Sequence, residues 1–347
     1  MMRSQAWNQT SDEPDRLSEI VSKIFSAPLI DSAVSLIADA ESQDDCAVFR
    51  IAEPLDLVAS SDYVRGSKFR LYELGLLDEY DLGYYLASAN FSDIAAMGAK
   101  PIGLLSVVRY PKSMSDDTFE MVLSGIRDSC ALAGAPNVGG DIGSAERLIL
   151  SATALGVCAQ GRALMRTGAR EGDVIYVTGA TGIAGAALQY FGAGKIDVKI
   201  EDEHRSELLR SWKRPTASVR HGLLLGRLVH VTSCIDTSDG LKAAVETIAS
   251  RSGFGARILE SVVPVRPEIA AVARHLQRDP LDMVFGDSVD FQLVFTVPAT
   301  CELLNAFEEF EEKPIRLGVM THEPGVFLEK RDGSLTPLPG QPWRHHI

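Results

Sequence analysis

An aspartate in the middle of an apolar stretch constrains the fold of this chain more than any other sequence feature. The stretch spans residues 87–101 and reads ASANFSDIAAMGAKP. Taken as a helix that begins near Leu82 and ends at Gly98, it places Asp93 on the same side as Met97. Desolvation of an ionised carboxylate costs several kcal/mol unless a cation or hydrogen-bond donors compensate for it. We therefore predict that Asp93 faces the core and has such a partner, with helix capping as the simpler alternative.

The overall composition allows a large core and favours a cytosolic protein. The chain has 347 residues, of which 46% are hydrophobic, and this length favours roughly two domains. Its five cysteines are scattered and form no CxxC pair, which indicates reduced thiols rather than disulfides or structural zinc. The sequence contains no apolar run of about 18 residues and no secretory signal pattern. We predict a cytoplasmic protein without a membrane partner.

The excess of acidic residues excludes one class of partner and favours another. The formal net charge is −13 at pH 7. A protein that binds nucleic acid independently of sequence needs a basic surface to displace counterions, so we expect no nucleic-acid partner. Carboxylates in excess are suited to binding cations instead.

Further acids lie where apolar strand-like runs begin or end. Asp44 and Asp45 directly precede the run 46–51, and Asp62 ends the run 55–62. Turn formation is the commonest use of Asp beside a strand, and it stays open as the explanation at each single position.

A β-α-β alternation then leads to a glycine pair and a third acidic position. A strand is predicted at 102–109 and a helix at 116–133, followed by the sequence Asn-Val-Gly-Gly-Asp at 137–141. Gly139 and Gly140 permit close approach of a ligand to the backbone, and Asp141 adds a carboxylate there. The connection 161–169 brings two arginines that could contact phosphate, although a solvated basic loop is the simpler reading.

The second half of the chain contains one glycine-rich turn and one further acid pair. Residues 173–185 resemble a strand, a glycine-rich turn and a helix start, which suggests a nicotinamide-dinucleotide site as a minor alternative. Asp236 and Asp239 lie at the end of the strand-like run 231–235, where helix capping is the ordinary role but a phosphate site is also possible. We further predict helices at 217–228 and 301–310 and strands at 291–297 and 315–319.

The recurrence of these acids favours one chemistry over separate capping roles. Oxygen ligands without His or Cys select the hard cation Mg²⁺, and protein-bound Mg²⁺ usually works with substrate phosphates. No Walker A sequence is present, because Gly192-Ala193-Gly194-Lys195 lacks the leading glycine and the following Ser or Thr. The sequence therefore predicts ATP and Mg²⁺ as cofactors on a fold other than the P-loop fold.

These motifs, in this order, resemble those of the thiamine-monophosphate kinase family, which shares a superfamily with aminoimidazole ribonucleotide synthetase. The matching stretches cover nearly the whole chain and lie at residues 44–48, 61–62, 90–99, 139–141, 161–169 and 235–241. The resemblance implies a two-domain α/β (α+β) synthetase-like fold and a homodimer. It implies an N-terminal domain at 14–160 that binds ATP and Mg²⁺ and pairs with its copy into a dimeric β-barrel, and a C-terminal α/β domain at 161–347. Residues 1–13 are polar and lack apolar periodicity, which predicts a disordered lead-in.

The resemblance also implies roles for individual residues. Three residues are expected to act in catalysis, namely Asp93, Asp141 and Arg166. Nucleotide contacts are expected from Gly140, Arg166 and Ser238. The implied metal ligands are Asp45, Asp62, Asp93, Asp141, Asp236 and Asp239.

The substrate side departs from the family pattern. Where the family reads Gly-Gly-Glu-Asp-Tyr-Glu-Leu, this chain has Val289 and Gln292 in place of the two glutamates. Lys68 stands where the family has a histidine facing the substrate, and Trp343 begins a closing motif that has lost an acid and gained a base. Because these changes remove partners for the cationic thiazolium ring, we predict an acceptor other than thiamine monophosphate.

The sequence therefore predicts an ATP- and Mg²⁺-dependent enzyme that transfers a phosphoryl group to a small molecule. Two alternatives remain at this point. The first is an ATP-dependent ligase or cyclase that activates a carboxylate or amide oxygen for attack by an amine. The second, from a different class, is a catalytically silent nucleotide-binding protein, against which the retained acids argue.

Overall fold

The structure is a computed structural model. It describes residues 35–38, 46–52, 54–64, 70–192, 200–301 and 303–342. The predicted lead-in at 1–13 and the site candidates Asp45, Lys68 and Trp343 lie outside these ranges.

Six strands form the first sheet, in the order β1-β2-β3-β6-β4-β5. The pairs are antiparallel except for β4 and β5, which run parallel because helix α3 crosses between them. The strand predicted at 102–109 and the helix predicted at 116–133 are confirmed, whereas the strand at Asn137–Ala145 was not predicted. The strands are β1 Ser35–Ala38, β2 Ala47–Ala52, β3 Leu55–Tyr63, β4 Lys100–Pro111, β5 Asn137–Ala145 and β6 Ile149–Ala159.

The helices of this half are α1 Arg70–Glu73, α2 Glu79–Ala96 and α3 Asp116–Ala133. Helix α2 begins three residues before the predicted start because Asp78 forms a capping box with Asp81. It is followed by Gly98 in a left-handed conformation, as the sequence suggested. Helix α3 has the predicted bounds, with Ser115 as its N-cap and Gly134 as its C-cap.

Glycines bring α2 and α3 into close backbone contact. A Cβ atom at Gly83 would lie 2.1 Å from the carbonyl oxygen of Val122, and one at Gly125 would lie 2.0 Å from that of Tyr80. No side chain larger than hydrogen fits at either position. The close approach holds α2 between α3 and the first sheet.

Seven strands form the second sheet, in the order β13-β12-β9-β11-β7-β10-β8. They are β7 Val174–Val177, β8 Ser233–Asp236, β9 Gly255–Leu259, β10 Leu293–Val297, β11 Ile315–Thr321, β12 Gly325–Glu329 and β13 Leu335–Pro337. The helices of this half are α4 Ile183–Gly192, α5 Asp202–Lys213, α6 Val219–Arg227, α7 Leu241–Ser252, α8 Pro267–Leu276 and α9 Pro280–Val284. Short 3₁₀ turns lie at Glu260–Val262 and Leu304–Phe307.

The helix predicted at 301–310 is wrong, because the structure has only the 3₁₀ turn Leu304–Phe307 there. Four glutamates follow within residues 308–312. Negative charge is unfavourable at the C-terminal end of a helix, where the last carbonyl groups are already electronegative. The apolar residues of the stretch are instead buried around a short turn.

The glycine-rich turn at 179–182 does not belong to a dinucleotide-binding fold. Strand β7, which precedes it, pairs antiparallel with both β10 and β11. A dinucleotide fold requires parallel strands around this turn. Residues 173–185 therefore resemble a dinucleotide-binding segment in sequence but do not belong to a dinucleotide-binding fold.

The C-terminal end of α2 packs directly against α6 of the second half. A Cβ atom at Gly222 would lie 2.3 Å from the carbonyl oxygen of Ala95, and one at Gly226 would lie 2.2 Å from that of Gly98. Helix α2 is thereby covered by both halves of the molecule. Among the described residues, no helix is both long and apolar enough to cross a membrane.

Candidate active site

Asp93 is partly exposed on a helix that is buried along most of its length. Every residue from Asp81 to Met97 is buried except Asp93, which is partly exposed. The expectation that Asp93 faces the core is therefore wrong: α2 is buried nearly all round because both sheets and α3 cover it, and Asp93 is not fully buried. The Ser60 hydroxyl of β3 donates a hydrogen bond to the Asp93 carboxylate.

The second acid of this group is held beside α2 by its own backbone. Asp62 lies near the end of β3, and its N–H donates to the side-chain oxygen of Asn90 at 3.1 Å. The amide nitrogen of Asn90 in turn donates to the carbonyl oxygen of Leu86 at 2.9 Å. Asn90 is fully buried, so its orientation fixes the end of β3 against the helix that carries Asp93.

A hydrogen bond across the two halves of the molecule brings Asp236 to the same helix. The buried Ser92 hydroxyl donates to Oδ2 of Asp236 at 2.5 Å. The other oxygen of Asp236 accepts from the hydroxyl of Ser238 at 2.9 Å and from its N–H at 3.3 Å. Neighbouring residues of α2, Ser92 and Asp93, thus contact the second half and the first sheet respectively.

Asp239 follows in the turn that leads to α7. Its side chain is exposed, unlike that of Asp236. Gly240, the next residue, has a φ of 96°, and a Cβ atom there would lie 2.1 Å from the carbonyl oxygen of Gly286. The turn therefore requires glycine, and it presents Asp239 to solvent beside the Asp236 site.

Asp141 and Gly140 lie on the edge strand β5, apart from the other acids. Gly140 has a φ of 141°, and a Cβ atom there would lie 1.7 Å from the carbonyl oxygen of Ser106. The strand register places Asp62, Ala152, Ser106 and Gly140 in one row across β3, β6, β4 and β5. Three strand spacings, roughly 14 Å, separate the ends of this row. A single ion cannot bridge that span.

Arg109 forms an ion pair with Asp141, which sequence reasoning did not anticipate. The hydrogen bond from the guanidinium is the main cause that lowers the pKa of Asp141 below its ordinary value. The Asp141 carboxylate is therefore ionised throughout the neutral range.

Arg166 lies on the segment between strands β6 and β7, which contacts both the end of α2 and strand β8. The N–H of Leu164 donates to the carbonyl oxygen of Met97 at 2.9 Å, and the N–H of Cys234 donates to that of Met165 at 2.8 Å. These two bonds place the partly buried Arg166 between the end of α2 and the strand that carries Asp236.

The donors in this region have the chemistry that Mg²⁺ requires. Asp62, Asp93, Asp236 and Asp239 supply oxygen atoms, and the hydroxyls beside them add no nitrogen or sulfur. Within the part of the chain that the structure describes, no three His, Cys, Asp or Glu side chains are close enough to form a complete metal site. The metal roles of these residues therefore stay a prediction, as does that of Asp45.

Two of the substrate-side positions are engaged inside the protein. Val289 is buried at 2% exposure. The side-chain oxygen of Gln292 accepts from the Thr178 hydroxyl at 2.8 Å, and the backbone N–H of Gln292 donates to the Thr237 hydroxyl at 3.1 Å. The segment thus joins strand β7 to the turn that contains Ser238.

Asp290, between those positions, binds the N-terminus of α4. Its carboxylate accepts from the N–H of Gly182 at 2.6 Å and from that of Ala184 at 3.2 Å. A helix N-terminus after a glycine-rich turn is a ready anion site. Here the protein fills that site with its own carboxylate.

A cavity of about 1050 Å³ opens beside the end of β3. Its lining combines aromatic and charged side chains, among them Tyr63, Tyr72, Glu79, Glu146 and Arg147. The Tyr72 hydroxyl donates to Glu79 at 2.7 Å, and burial is the main cause that raises the pKa of Tyr72 to about 12. The cavity adjoins Asp62 through Tyr63, so it is the candidate place for a small-molecule acceptor.

Sequence reasoning missed the serines and the arginine that hold the acids. Ser60 could have been found from its position two residues before Asp62 on the same strand, since alternate strand residues share a face. Ser92 and Arg109 contact partners 144 and 32 residues away, and no local pattern signals such contacts.

The sequence matches one protein family over both halves. Residues 43–158 match the family described as AIR synthase related protein, N-terminal domain, and residues 170–331 match the corresponding C-terminal domain. Thiamine-monophosphate kinase of Pyrococcus horikoshii is 30% identical over 265 residues, which cover 76% of this chain and 79% of that protein. The Salmonella typhimurium thiamine-monophosphate kinase is 33% identical over 257 residues, or 74% of this chain and 75% of that protein.

Solved structures show the same fold. Thiamine-monophosphate kinase from Stenotrophomonas maltophilia superposes with a TM-score of 0.72 at 27% identity and covers 91% of this chain and 96% of that chain. AaThiL complexed with AMPPCP and TMP has a TM-score of 0.78 at 23% identity over 98% of this chain and 100% of that chain. The Escherichia coli hydrogenase maturation protein HypE shares the fold alone, with a TM-score of 0.67 at 19% identity over 94% and 97% of the two chains. The chain therefore belongs to the thiamine-monophosphate kinase family of AIR synthase related proteins.

Proposed function

We propose that this protein is an ATP- and Mg²⁺-dependent kinase that transfers a phosphoryl group to a small-molecule acceptor. The observation that carries the proposal is the hydrogen bond between Ser92 and Asp236, which joins the acid motifs of the two halves at 2.5 Å. It brings Asp93, Asp236 and Ser238 to one end of α2. Relatives about 30% identical are named thiamine-monophosphate kinase, which supports the same activity here.

The chemistry needs positioning and charge neutralisation more than a protein base. Asp62, Asp93, Asp236 and Asp239 would hold Mg²⁺, which would supply positive charge to neutralise the triphosphate. Arg166 lies between α2 and β8, where its guanidinium can bind the transferring phosphoryl group. A phosphate acceptor has a second pKa near ~6 and is largely ionised at neutral pH, so no residue has to remove its proton.

The acceptor in this proposal differs from thiamine monophosphate. Gln292 has no charge, and its amide is engaged by Thr178, while Val289 is buried in the core. Neither position offers a carboxylate to a cationic ring. The cavity beside β3 contains both Glu146 and Arg147, so its lining has mixed charge and does not by itself select a cation.

Steady-state kinetics test this choice of acceptor. We expect thiamine monophosphate to be turned over with a kcat/KM below about 10⁴ M⁻¹ s⁻¹, the lower end of the usual enzyme range. Lys68→His and Gln292→Glu, alone and together, should raise that value, and Thr178 can still donate to a carboxylate at 292. Glu308→Gln, at a site remote from these positions in sequence, is the control. A wild-type value at or above that limit would overturn the altered acceptor and leave the kinase proposal intact.

A ligase or cyclase is the second candidate, because the family match is to AIR synthase related proteins. Such an enzyme would release inorganic phosphate and a condensed product. A screen of phosphates, carboxylates and amines with ATP, read by mass spectrometry, separates a phosphorylated from a condensed product. If no acceptor causes nucleotide turnover with Mg²⁺, the protein is a silent nucleotide-binding protein.

The open edge of the first sheet supports a homodimer. Strand β5 is an edge strand, and Val138 and Ile142 on it are 54% and 56% exposed. Ile102 and Leu105 of the neighbouring strand are also exposed. Exposed apolar residues on a sheet edge favour pairing with a second copy of the chain. Because β5 carries Asp141, the partner would lie beside the nucleotide. Dilution to the monomer, monitored by light scattering, should therefore abolish the activity measured in the assay.

A further inference from the structure

The ion pair between Arg109 and Asp141 follows from the register of two parallel strands. Val107 pairs with Asp141, and Arg109 pairs with Gly143, two residues further along the same strands. Paired residues of a parallel ladder share a face of the sheet, so Arg109 and Asp141 lie on the same face. The guanidinium reaches back along β5 and donates to Oδ2 of Asp141 through Nη2.

The other terminal nitrogen of Arg109 has no hydrogen-bond partner. Nη1 is buried, and none of the described protein groups accepts a bond from it. A Cβ atom at Gly143 would lie 3.2 Å from Nη1, so glycine leaves the space in which the guanidinium lies flat against β5. A buried donor without an acceptor is unfavourable, which indicates that this arrangement lacks a component that supplies one.

A purely structural role explains the pair poorly. The side chain of Asp141 is 66% exposed and that of Arg109 31% exposed. Exposed ion pairs contribute little to folding stability, because water screens them and holding the side chains costs entropy. The carboxylate of Asp141 is instead open to solvent on the edge strand β5, where a ligand can reach it.

We propose that Arg109 is the counter-ion of Asp141 when no metal is bound, and that it binds a phosphate oxygen of the nucleotide once Mg²⁺ takes its place on the carboxylate. The inference rests on the proposed function, because it takes ATP and Mg²⁺ as the ligands. Arg109 has the donors for a bidentate contact with phosphate, and Nη1 is the donor still unused. Arg109 thus binds the nucleotide in the complex with Mg²⁺ and forms an ion pair with Asp141 in the free protein.

The proposed exchange of Arg109 for Mg²⁺ on Asp141 predicts that removing the guanidinium changes the affinities for Mg²⁺ and for the nucleotide in opposite directions. Removing the guanidinium removes a competing positive charge, so Mg²⁺ alone should bind more tightly to Arg109→Met, by roughly threefold to thirtyfold. The same variant should bind the Mg²⁺ complex of a non-hydrolysable ATP analogue about tenfold or more weakly, because a charged phosphate contact is lost. The affinity of Arg109→Lys for the nucleotide analogue should lie between that of the wild-type protein and that of Arg109→Met.

Isothermal titration calorimetry on the full chain measures both affinities. In an Asp141→Asn background, Arg109→Met should no longer change the affinity for Mg²⁺, since the shared carboxylate is absent. Arg127→Met is the matched control, because Arg127 forms an exposed ion pair with Asp128 at 2.7 Å on helix α3. That control should match wild type for both ligands.

Unchanged Mg²⁺ affinity in Arg109→Met, or unchanged affinity for the nucleotide analogue, would overturn the inference. Circular dichroism of each variant excludes unfolding as the cause of any loss. The proposed function is tested separately. If the calorimetry follows the predicted pattern but the wild-type protein transfers no phosphoryl group, the role of Arg109 stands and the kinase activity is contradicted.

Discussion

At the scale of single residues, hydroxyl and amide groups determine where the acids lie. Ser60 holds the Asp93 carboxylate, and Ser92 holds Asp236 at 2.5 Å. Hydrogen bonds to ionised acceptors are stronger than neutral ones, so these hydroxyls fix the orientation of the two carboxylates. The acids could be predicted from their positions at the ends of apolar runs, and Ser60 from its place on the same strand face as Asp62. The contact between Ser92 and Asp236 could not be predicted, because only the tertiary fold brings these two residues together.

Asp93→Asn and Asp141→Asn should each abolish ATP turnover and leave the protein folded. An amide is isosteric with a carboxylate but lacks the charge that Mg²⁺ requires, so we expect losses of about 100-fold or more at limiting Mg²⁺. Coupled-enzyme assays of ADP release give the rate, and near-UV circular dichroism monitors the fold. Turnover equal to wild type in either variant would contradict the metal assignment of that residue.

Two buried thiols should resist modification in the folded protein. Burial raises the pKa of Cys158 from 9.0 to about 11 and that of Cys130 to about 12. Folding thus favours the protonated thiols, and this contribution to stability is complete below pH 9 and is lost as pH rises towards those values. At about pH 8, iodoacetamide should modify the partly exposed Cys301 before Cys130 or Cys158, as read by peptide mass spectrometry. Equal rates at the three sites would be inconsistent with this burial.

At the scale of elements, the sequence predicted both long helices of the first half, but it did not predict which side of the enclosed helix α2 is exposed. Helix α3 packs one face on the protein, and the period of its apolar residues predicted its bounds from sequence. Helix α2 is buried on nearly every side, so its sequence has little amphipathic contrast, and the orientation of Asp93 was predicted wrongly. Strand β5 is glycine-rich and exposed, and only its pairing with β4 defines it.

Gly83→Ala should destabilise the protein through the contact between α2 and α3. The added Cβ atom would lie 2.1 Å from the Val122 carbonyl oxygen, so the helices would have to move apart. We expect the free energy of unfolding to fall by about 2 kcal/mol or more, although alanine has the higher helix propensity. Urea denaturation measures the change, with Glu120→Ala on the exposed face of α3 as the control. A stabilised Gly83→Ala would show that the two helices are not in this contact.

At the scale of the whole molecule, two sheets meet on one buried helix. Helix α2 contacts the first sheet through Ser60 and the second half through Ser92, and the glycines of α6 close on its C-terminal end. The order of motifs along the chain was enough to predict this fold class. It was not enough to predict which acids meet, because Asp141 lies three strands from Asp62 while Asp236 arrives from the other half.

Phosphorus-31 NMR of the wild-type protein with ATP, Mg²⁺ and a panel of phosphorylated acceptors tests the central claim most directly. If the protein is a kinase, the β-phosphate signal of ADP and the new signals of a diphosphate product should increase together in equal amounts. Inorganic phosphate should not be released in a matching amount. The reaction should disappear in Asp93→Asn. Release of inorganic phosphate in proportion to ADP, with no new phosphorylated product for any acceptor, would contradict phosphoryl transfer to a small molecule.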